Sequence, residues 1–229
     1  MIFNNIPLHF ACLNENSKIL KILLQYIEKD QLNIENKLGQ TPISHILQNP
    51  NLDLLNEVIH FLGEENLNHP FNNQKQTLLH LACQNRSLEA VQTLLSYKSL
   101  NINETDQAGQ TCLMISVKLN LLEMTKLLLK FPGIDVNISD KNNQNVLHIA
   151  CNTYNSIEIV KLLLNQKEIE INHRDKENNP PLFYAFEENQ KNIVQLLIKQ
   201  PNIDLNINSK NFIESMNSPT LRYFYFRNL

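Results

Sequence analysis

The sequence predicts an all-α protein built from about six stacked helix-turn-helix units. Its 229 residues repeat at intervals of 34–36 residues, and within each interval apolar residues follow helical spacing. The composition agrees, because 42% hydrophobic with 19% charged residues is enough apolar content to bury a core and too much for a disordered chain. A repeat of this length describes one domain that grows by stacking units.

Two markers keep this period along the whole chain. The first is an apolar residue followed by asparagine, at Asn33, Asn68, Asn103, Asn137, Asn172 and Asn206. The second is an apolar residue at Leu8, Ile43, Leu79, Leu113, Leu147 and Leu182. Because the two series stay in phase, we divide the chain into units of residues 1–35, 36–71, 72–105, 106–139, 140–174 and 175–208. We expect residues 209–229 to form a degenerate C-terminal cap or tail.

Each unit has the pattern of a polar turn, a short helix, a brief break and a longer helix. In the fifth unit Ile157, Val160, Leu163 and Leu164 lie on one face of the longer helix. The chain has only four glycines but 35 asparagines. Asparagine is the residue after glycine that best tolerates a positive φ, so we expect it in turns that would otherwise use glycine.

The start of each short helix resembles the T-P-L-H-x-A signature of ankyrin repeats. The matching segments are residues 7–12, 41–43, 77–83, 111–113, 146–151 and 181–185. Residues 134–137 and 203–206 are similar to the A-D-V-N element that closes an ankyrin unit. The resemblance covers residues 1–208 and implies an all-α ankyrin-repeat solenoid with β-turn fingers, in which the concave groove usually binds a protein.

Two departures from the ankyrin pattern carry structural expectations. The turn glycine is kept at Gly39 and Gly109 and is replaced by Asn4, Lys75, Asn143 and Asn178. Lysine should be less comfortable than asparagine in a left-handed turn position. In the second unit Ser44 replaces the signature histidine, and we expect the first helix of that unit to pack less regularly.

Three His-x-x-Cys pairs, at His9/Cys12, His80/Cys83 and His148/Cys151, each resemble half of a zinc site. They lie in alternate units, which stacked helices place about 20 Å apart, so no two pairs can share a metal ion. We therefore interpret both residues as packing residues. The sequence has no phosphate-binding, metalloprotease or hydrolase motif, and we expect no enzyme activity, metal or cofactor.

Charge and hydropathy exclude several partner classes. Twenty basic against 23 acidic residues leave no positive surface for nucleic acid or an anionic membrane. No apolar run approaches the roughly 20 residues that cross a bilayer, and residues 1–16 lack a secretory signal. The four cysteines show no disulfide framework. We expect a cytoplasmic monomer that binds a protein partner.

The resemblance places candidate partner-binding residues on the turn fingers and on the first helices. The finger candidates are rich in amides, which offer donors and acceptors to an extended polypeptide; they are Lys37, Gln40, Gln74, Gln76, Gln107, Gln110, Asn142, Gln144, Glu177 and Asn179. The helix candidates are His45, Leu81, Ile115, Ile149 and Tyr184, with Phe10 at the same place in the first unit. The alternative is that the amides reflect composition alone and the helix residues pack between units.

The C-terminal aromatic residues Tyr223, Phe224, Tyr225 and Phe226 form a second candidate surface. They either cap the last unit or include exposed anchors for a partner. The predicted function is a protein–protein interaction module. Two alternatives stay open: an adaptor or effector that uses the tail as a second docking site, and a spacer or fragment of a larger ankyrin protein.

Overall fold

The structure, a computed structural model, describes residues 5–14 and 16–205, and these residues form α-helices without any β-strand. The odd-numbered helices have seven residues and the even-numbered ones eight to eleven, which confirms the predicted short and longer helix of each unit. The helices are α1 (Pro7–Leu13), α2 (Ser17–Leu24), α3 (Pro42–Gln48), α4 (Leu52–Leu62), α5 (Leu78–Gln84), α6 (Leu88–Leu95), α7 (Cys112–Lys118), α8 (Leu122–Leu129), α9 (Val146–Asn152), α10 (Ile157–Leu164), α11 (Pro181–Glu187) and α12 (Lys191–Ile198).

The described residues form two compact units. Unit one comprises residues 5–14, 16–115 and 127–134, and unit two comprises residues 116–126 and 135–205. In unit one α1 packs on α3 and α2 on α4, and the next pair, α5 and α6, packs on these in turn. In unit two α9 packs on α11 and α10 on α12. From here on, the word unit means one of these two compact parts. Each successive helix pair is called a repeat, and the repeats are numbered one to six.

Five turns, which we call fingers, precede the first helices of repeats two to six. They are residues 36–40, 72–76, 106–110, 140–144 and 175–179. In each finger the first side chain, Asn or Asp, accepts the backbone N–H groups two and four residues later, as Asp106 does from Ala108 and Gln110 at 2.8 Å. This bonding closes the turn with a short polar side chain and fixes its backbone.

The fourth residue of every finger has a positive φ. The prediction is confirmed for the substituted positions: Lys75 lies at φ 56°, Asn143 at 60° and Asn178 at 66°, beside Gly39 at 70° and Gly109 at 78°. Asn4 lies outside the described residues. Lysine has no special tolerance of this conformation, so Lys75 costs about 1 kcal/mol relative to glycine.

The periodic asparagines connect each repeat to the next one. Their side-chain amides donate to a backbone carbonyl in the loop of the following repeat; the pairs are Asn33 to Phe71, Asn68 to Ser99 (2.7 Å), Asn103 to Gly133 (2.8 Å), Asn137 to Glu168 (2.6 Å) and Asn172 to Asn202 (2.7 Å). The Oδ1 atoms of Asn68, Asn137 and Asn172 also accept an N–H two residues further on in the same loops. We call these contacts asparagine bridges, and they explain why the asparagine marker keeps its period.

Removing an asparagine bridge should destabilise the fold. Asn137→Ala deletes both hydrogen bonds to the Glu168–Glu170 loop, and we expect the free energy of unfolding to fall by about 1–2 kcal/mol. Asn192→Ala removes an exposed asparagine from α12 and serves as the matched control. Urea unfolding followed by circular dichroism measures both, and an equal loss in the two variants would contradict a role for the bridge.

Candidate functional site

The signature histidines are buried hydrogen-bonding residues. His9, His80 and His148 are at most 1% exposed. The Nε2 atom of each lies 3.0–3.1 Å from the carbonyl of the last residue of the next finger, which is Gln40, Gln110 or Asn179. The Nδ1 atom accepts a backbone N–H at the start of its own helix. Each imidazole therefore fastens a first helix to the following finger.

The cysteines of the His-x-x-Cys pairs are packing residues, as the sequence predicted. Cys12, Cys83 and Cys151 are fully buried. Burial raises the pKa of Cys12 to about 12 and also raises the pKa of Cys151. For Cys83 a hydrogen bond with Cys112 and burial both raise the pKa. Thiols held protonated in this way are poor nucleophiles and poor metal ligands. Within residues 5–14 and 16–205, no three His, Cys, Asp or Glu side chains are grouped to hold a metal ion.

The structure sorts the candidate partner-binding residues by exposure. Lys37, Gln74, Gln107, Asn142 and Glu177 are exposed at the finger tips. Gln40, Leu81, Gln110, Gln144 and Tyr184 are half-buried. His45, Gln76, Ile115, Ile149 and Asn179 are buried. Gln76, at 2% exposed, accepts the side-chain amide of Asn72 at 2.9 Å, so its side chain serves the finger itself.

In unit one, the tips of two fingers are held side by side. The N–H of Gln107 donates to the carbonyl of Gln74 at 2.7 Å, and both side chains project as exposed amides. Next to them lies a cleft of about 770 Å³, whose lining includes Gln74, Gln76 and Leu81 among the predicted residues. Unit one therefore brings together a rigid amide edge and a polar recess.

In unit two, Tyr184 connects two fingers. Its hydroxyl donates to the carboxylate of Asp175 at 2.5 Å and accepts the amide of Gln144 at 2.7 Å. Burial and the Asp175 carboxylate both raise the pKa of Tyr184, so it stays a neutral donor. Burial alone would raise the pKa of Asp175, but the hydrogen bonds from Tyr184 and from the finger backbone lower it overall. Beside this network, the N–H of Lys176 bonds the carbonyl of Asn142 at 3.0 Å.

The predicted site residues do not include Asp175 or the other residues that open the fingers. Their signal is an Asn or Asp that recurs with the repeat period, at Asn36, Asn72, Asp106, Asp140 and Asp175. His173 was not among the predicted site residues either; it packs edge-on against His148 with ring centroids 5.8 Å apart and bonds Ser139 at 3.0 Å. These partners are distant in sequence, which is why the local pattern missed them.

His45 is the one described residue with a buried side-chain nitrogen that lacks a hydrogen-bond partner among the residues the structure covers. It is 7% exposed, and its ring packs edge-on against His9 with centroids 5.9 Å apart. Burial and the neighbouring His9 both lower the pKa of His45. The side chain is therefore an uncharged packing residue, which limits what a partner could reach there.

Repeat one exposes an apolar surface that the later repeats bury. Ile19, the third residue of α2, is 47% exposed. The residues at the same place in the other second helices are buried to 3% exposure or less: Leu54, Ala90, Met124, Ile159 and Ile193. Ile22 and Phe10 are also exposed, and we call these three residues the outer face of repeat one. Such a patch is typical of an interaction surface.

Two further expectations concern the C-terminal aromatic residues and the absence of membrane-spanning helices. Tyr223, Phe224, Tyr225 and Phe226 lie outside those residues. No helix within residues 5–14 and 16–205 is long and apolar enough to cross a membrane.

Helix pairs that are joined by hydrogen-bonded fingers and repeat every 34–36 residues define an α-helical repeat protein. Family models for ankyrin repeats match residues 3–37, 45–140 and 113–209. The chain belongs to the ankyrin-repeat family. Ankyrin repeats are protein–protein interaction modules, and the family is a non-catalytic scaffold family.

Two known proteins illustrate the similarity. Alpha-latrotoxin-Lh1a from Latrodectus hasselti is 33% identical over 105 residues, which are 46% of this chain; the match covers only 8% of the toxin's length. The crystal structure of the ankyrin repeat domain of Bcl-3, a member of the IκB protein family, superposes with a TM-score of 0.70, covers 89% of each chain and is 24% identical. The second comparison supports the fold alone.

The buried side chain of His148 should make the stability of the fold depend on pH. Burial lowers the pKa of His148 to about 4 from an ordinary value near 6.5. The unfolded chain therefore binds the proton first, so the stabilising contribution is complete above pH 6.5 and is lost as the pH falls to about 4. The full loss amounts to about 3 kcal/mol.

In His148→Gln, the free energy of unfolding should vary less with pH across this window, whereas His69→Gln, in an exposed loop, should match the wild type. Equal slopes for all three proteins would contradict this assignment.

Proposed function

We propose that the chain binds a partner protein through its exposed finger tips, without catalysis. The observation that carries this proposal is the pair of exposed amides at Gln74 and Gln107 on fingers whose backbones bond each other at 2.7 Å. Asn142 and Glu177 present the corresponding exposed tips in unit two. Because the backbone is already fixed, binding there orders only side chains, which keeps its entropic cost small.

The chemistry of the tips favours an extended polypeptide. Amide side chains donate and accept, so they can pair with the backbone and the polar groups of a strand-like segment. The half-buried Leu81 supplies apolar contact in unit one, and Tyr184 does so in unit two. The side chains of the buried candidates Gln76, Ile115, Ile149, Asn179 and His45 support these tips from beneath, and we assign those side chains no direct contact.

Substitutions at the finger tips should abolish binding of the partner protein. We expect Gln74→Arg with Gln107→Arg to lose a protein that the wild-type chain captures from the source cells. The matched control, Gln92→Arg with Gln195→Arg, makes the same change at exposed sites on α6 and α12 and should retain that protein. Captured proteins are quantified by mass spectrometry, after circular dichroism shows equal helix content. Equal capture by both variants would place binding away from the finger tips.

A second proposal is that the chain is a segment of a longer ankyrin array, and the outer face of repeat one favours it. In unit one the side chain equivalent to Ile19 in α4 is Leu54, which is 0% exposed where α4 packs on α2. A further helix pair of the same kind would cover Ile19, Ile22 and Phe10 in the same way.

An immunoblot tests this second proposal. An antibody raised against residues 16–205 should detect a protein clearly larger than 26.6 kDa in the source cells. A single band at 26.6 kDa would contradict it, and the outer face would then be open to other partners.

A further inference from the structure

Repeat two lacks the histidine that fastens other repeats to the next finger. The third residue of the first helix is histidine in repeats one, three and five, and Ser44 in repeat two. The Ser44 side chain bonds back to Thr41, donating to its carbonyl at 2.7 Å and accepting its N–H at 3.1 Å. A serine side chain is several atoms shorter than an imidazole and this one bonds within its own repeat, so it does not fasten α3 to the next finger.

The carbonyl that an imidazole would reach in this repeat belongs to Gln76. Where the histidine is present, the equivalent carbonyl accepts two hydrogen bonds: Gln40 from the N–H of Asn36 and from His9, and Gln110 from the N–H of Asp106 and from His80. The carbonyl of Gln76 accepts the N–H of Phe71 at 2.6 Å. A carbonyl oxygen has two lone pairs, so this one retains capacity for a second donor.

Ser44 and Gln76 both line the cleft of about 770 Å³ in unit one. The remaining polar lining consists of acceptors and amides, including the carboxylates of Asp30 and Glu35, and contains no lysine or arginine. The ammonium of the neighbouring Lys29 bonds the Leu62 carbonyl at 3.0 Å. The cleft is therefore a negative, acceptor-rich recess, open to solvent beside the exposed tip of Gln74.

We propose that this cleft binds the guanidinium group of an arginine side chain in the partner protein. The guanidinium donates to the Gln76 carbonyl in place of the missing imidazole and pairs with the carboxylates of Asp30 and Glu35. Guanidinium carries only donors, in a planar fork that serves several acceptors at once, whereas a carboxylate or phosphate would be repelled. The inference rests on the proposed function and names the side chain that anchors the partner beside the finger tips.

Titration with blocked arginine, N-acetyl-arginine N-methylamide, tests the proposal on the full-length ¹⁵N-labelled chain. We expect saturable shifts of the backbone amides of residues 41–44 and 72–76 in the NMR spectrum. Blocked citrulline has nearly the same shape without the charge, and its affinity should be lower than that of blocked arginine by about tenfold or more. Shifts that do not saturate, or that are equal for both compounds, would overturn the proposal.

Ser44→His provides the decisive variant, because it restores the residue found in repeats one, three and five. The imidazole should bond the Gln76 carbonyl and so occupy the position proposed for the guanidinium, and the variant should therefore melt at a higher temperature and lose the arginine response. The matched control is Met114→His, which puts the same residue in the equivalent position of repeat four and should leave that response intact. Arginine binding that survives in folded Ser44→His would overturn the proposal.

A further variant tests the recess without changing its packing. Glu35→Gln alters an exposed side chain and should weaken arginine binding while leaving the melting temperature unchanged.

Failure of this inference is distinct from failure of the proposed function. If Gln74→Arg with Gln107→Arg loses the partner but blocked arginine does not bind, finger-tip recognition stands and the arginine anchor is wrong.

Discussion

Each repeat depends on hydrogen bonds that its polar side chains make to the backbone of the next repeat. A pair of helices with seven and eight residues cannot bury its apolar residues alone, so stability comes from stacking. Apolar contact is not directional, however, and would tolerate sliding of one pair on another. The asparagine bridges and the histidine contacts are directional. Asn68 and Asn137 each donate to and accept from one loop in the next repeat, which fixes the spacing of neighbouring pairs.

This bonding also determines which residues are left for a partner. The first side chain of each finger closes the turn by accepting the N–H of the last residue. In that last position Gln76 and Asn179 are buried, whereas Gln74 and Glu177, two residues earlier, project into solvent. Within one five-residue finger, a residue that a partner can reach therefore lies two positions from a residue that is buried. Repeat position alone does not separate these two kinds of residue.

The sequence was sufficient for the repeat period, the alternation of short and longer helices and the left-handed position in the fingers, because each leaves a local periodic signal. Lys75 could be assigned a positive φ from its place in the pattern alone. Exposure could not be assigned in this way. Gln76, Gln110 and Gln144 hold equivalent slots, yet the first is buried and the others are half-buried, since each depends on its neighbours in space. The bridge from Asn137 to Glu168 likewise joins residues 31 apart, and only the fold brings them together.

Loss of the signature histidine does not by itself create a cleft. Met114 occupies the same position in repeat four with a side chain close to histidine in size and is 1% exposed. Phe183 occupies it in repeat six and packs edge-on against Tyr184 with centroids 5.5 Å apart. Ser44 is the small residue among the six described. At Ser44 the repeat therefore loses the hydrogen bond that histidine makes to the next finger, and no large side chain replaces the imidazole. Departures of this kind from a repeat pattern are found at functional sites. The recess that contains Ser44 is therefore the place where we propose that a partner's arginine binds.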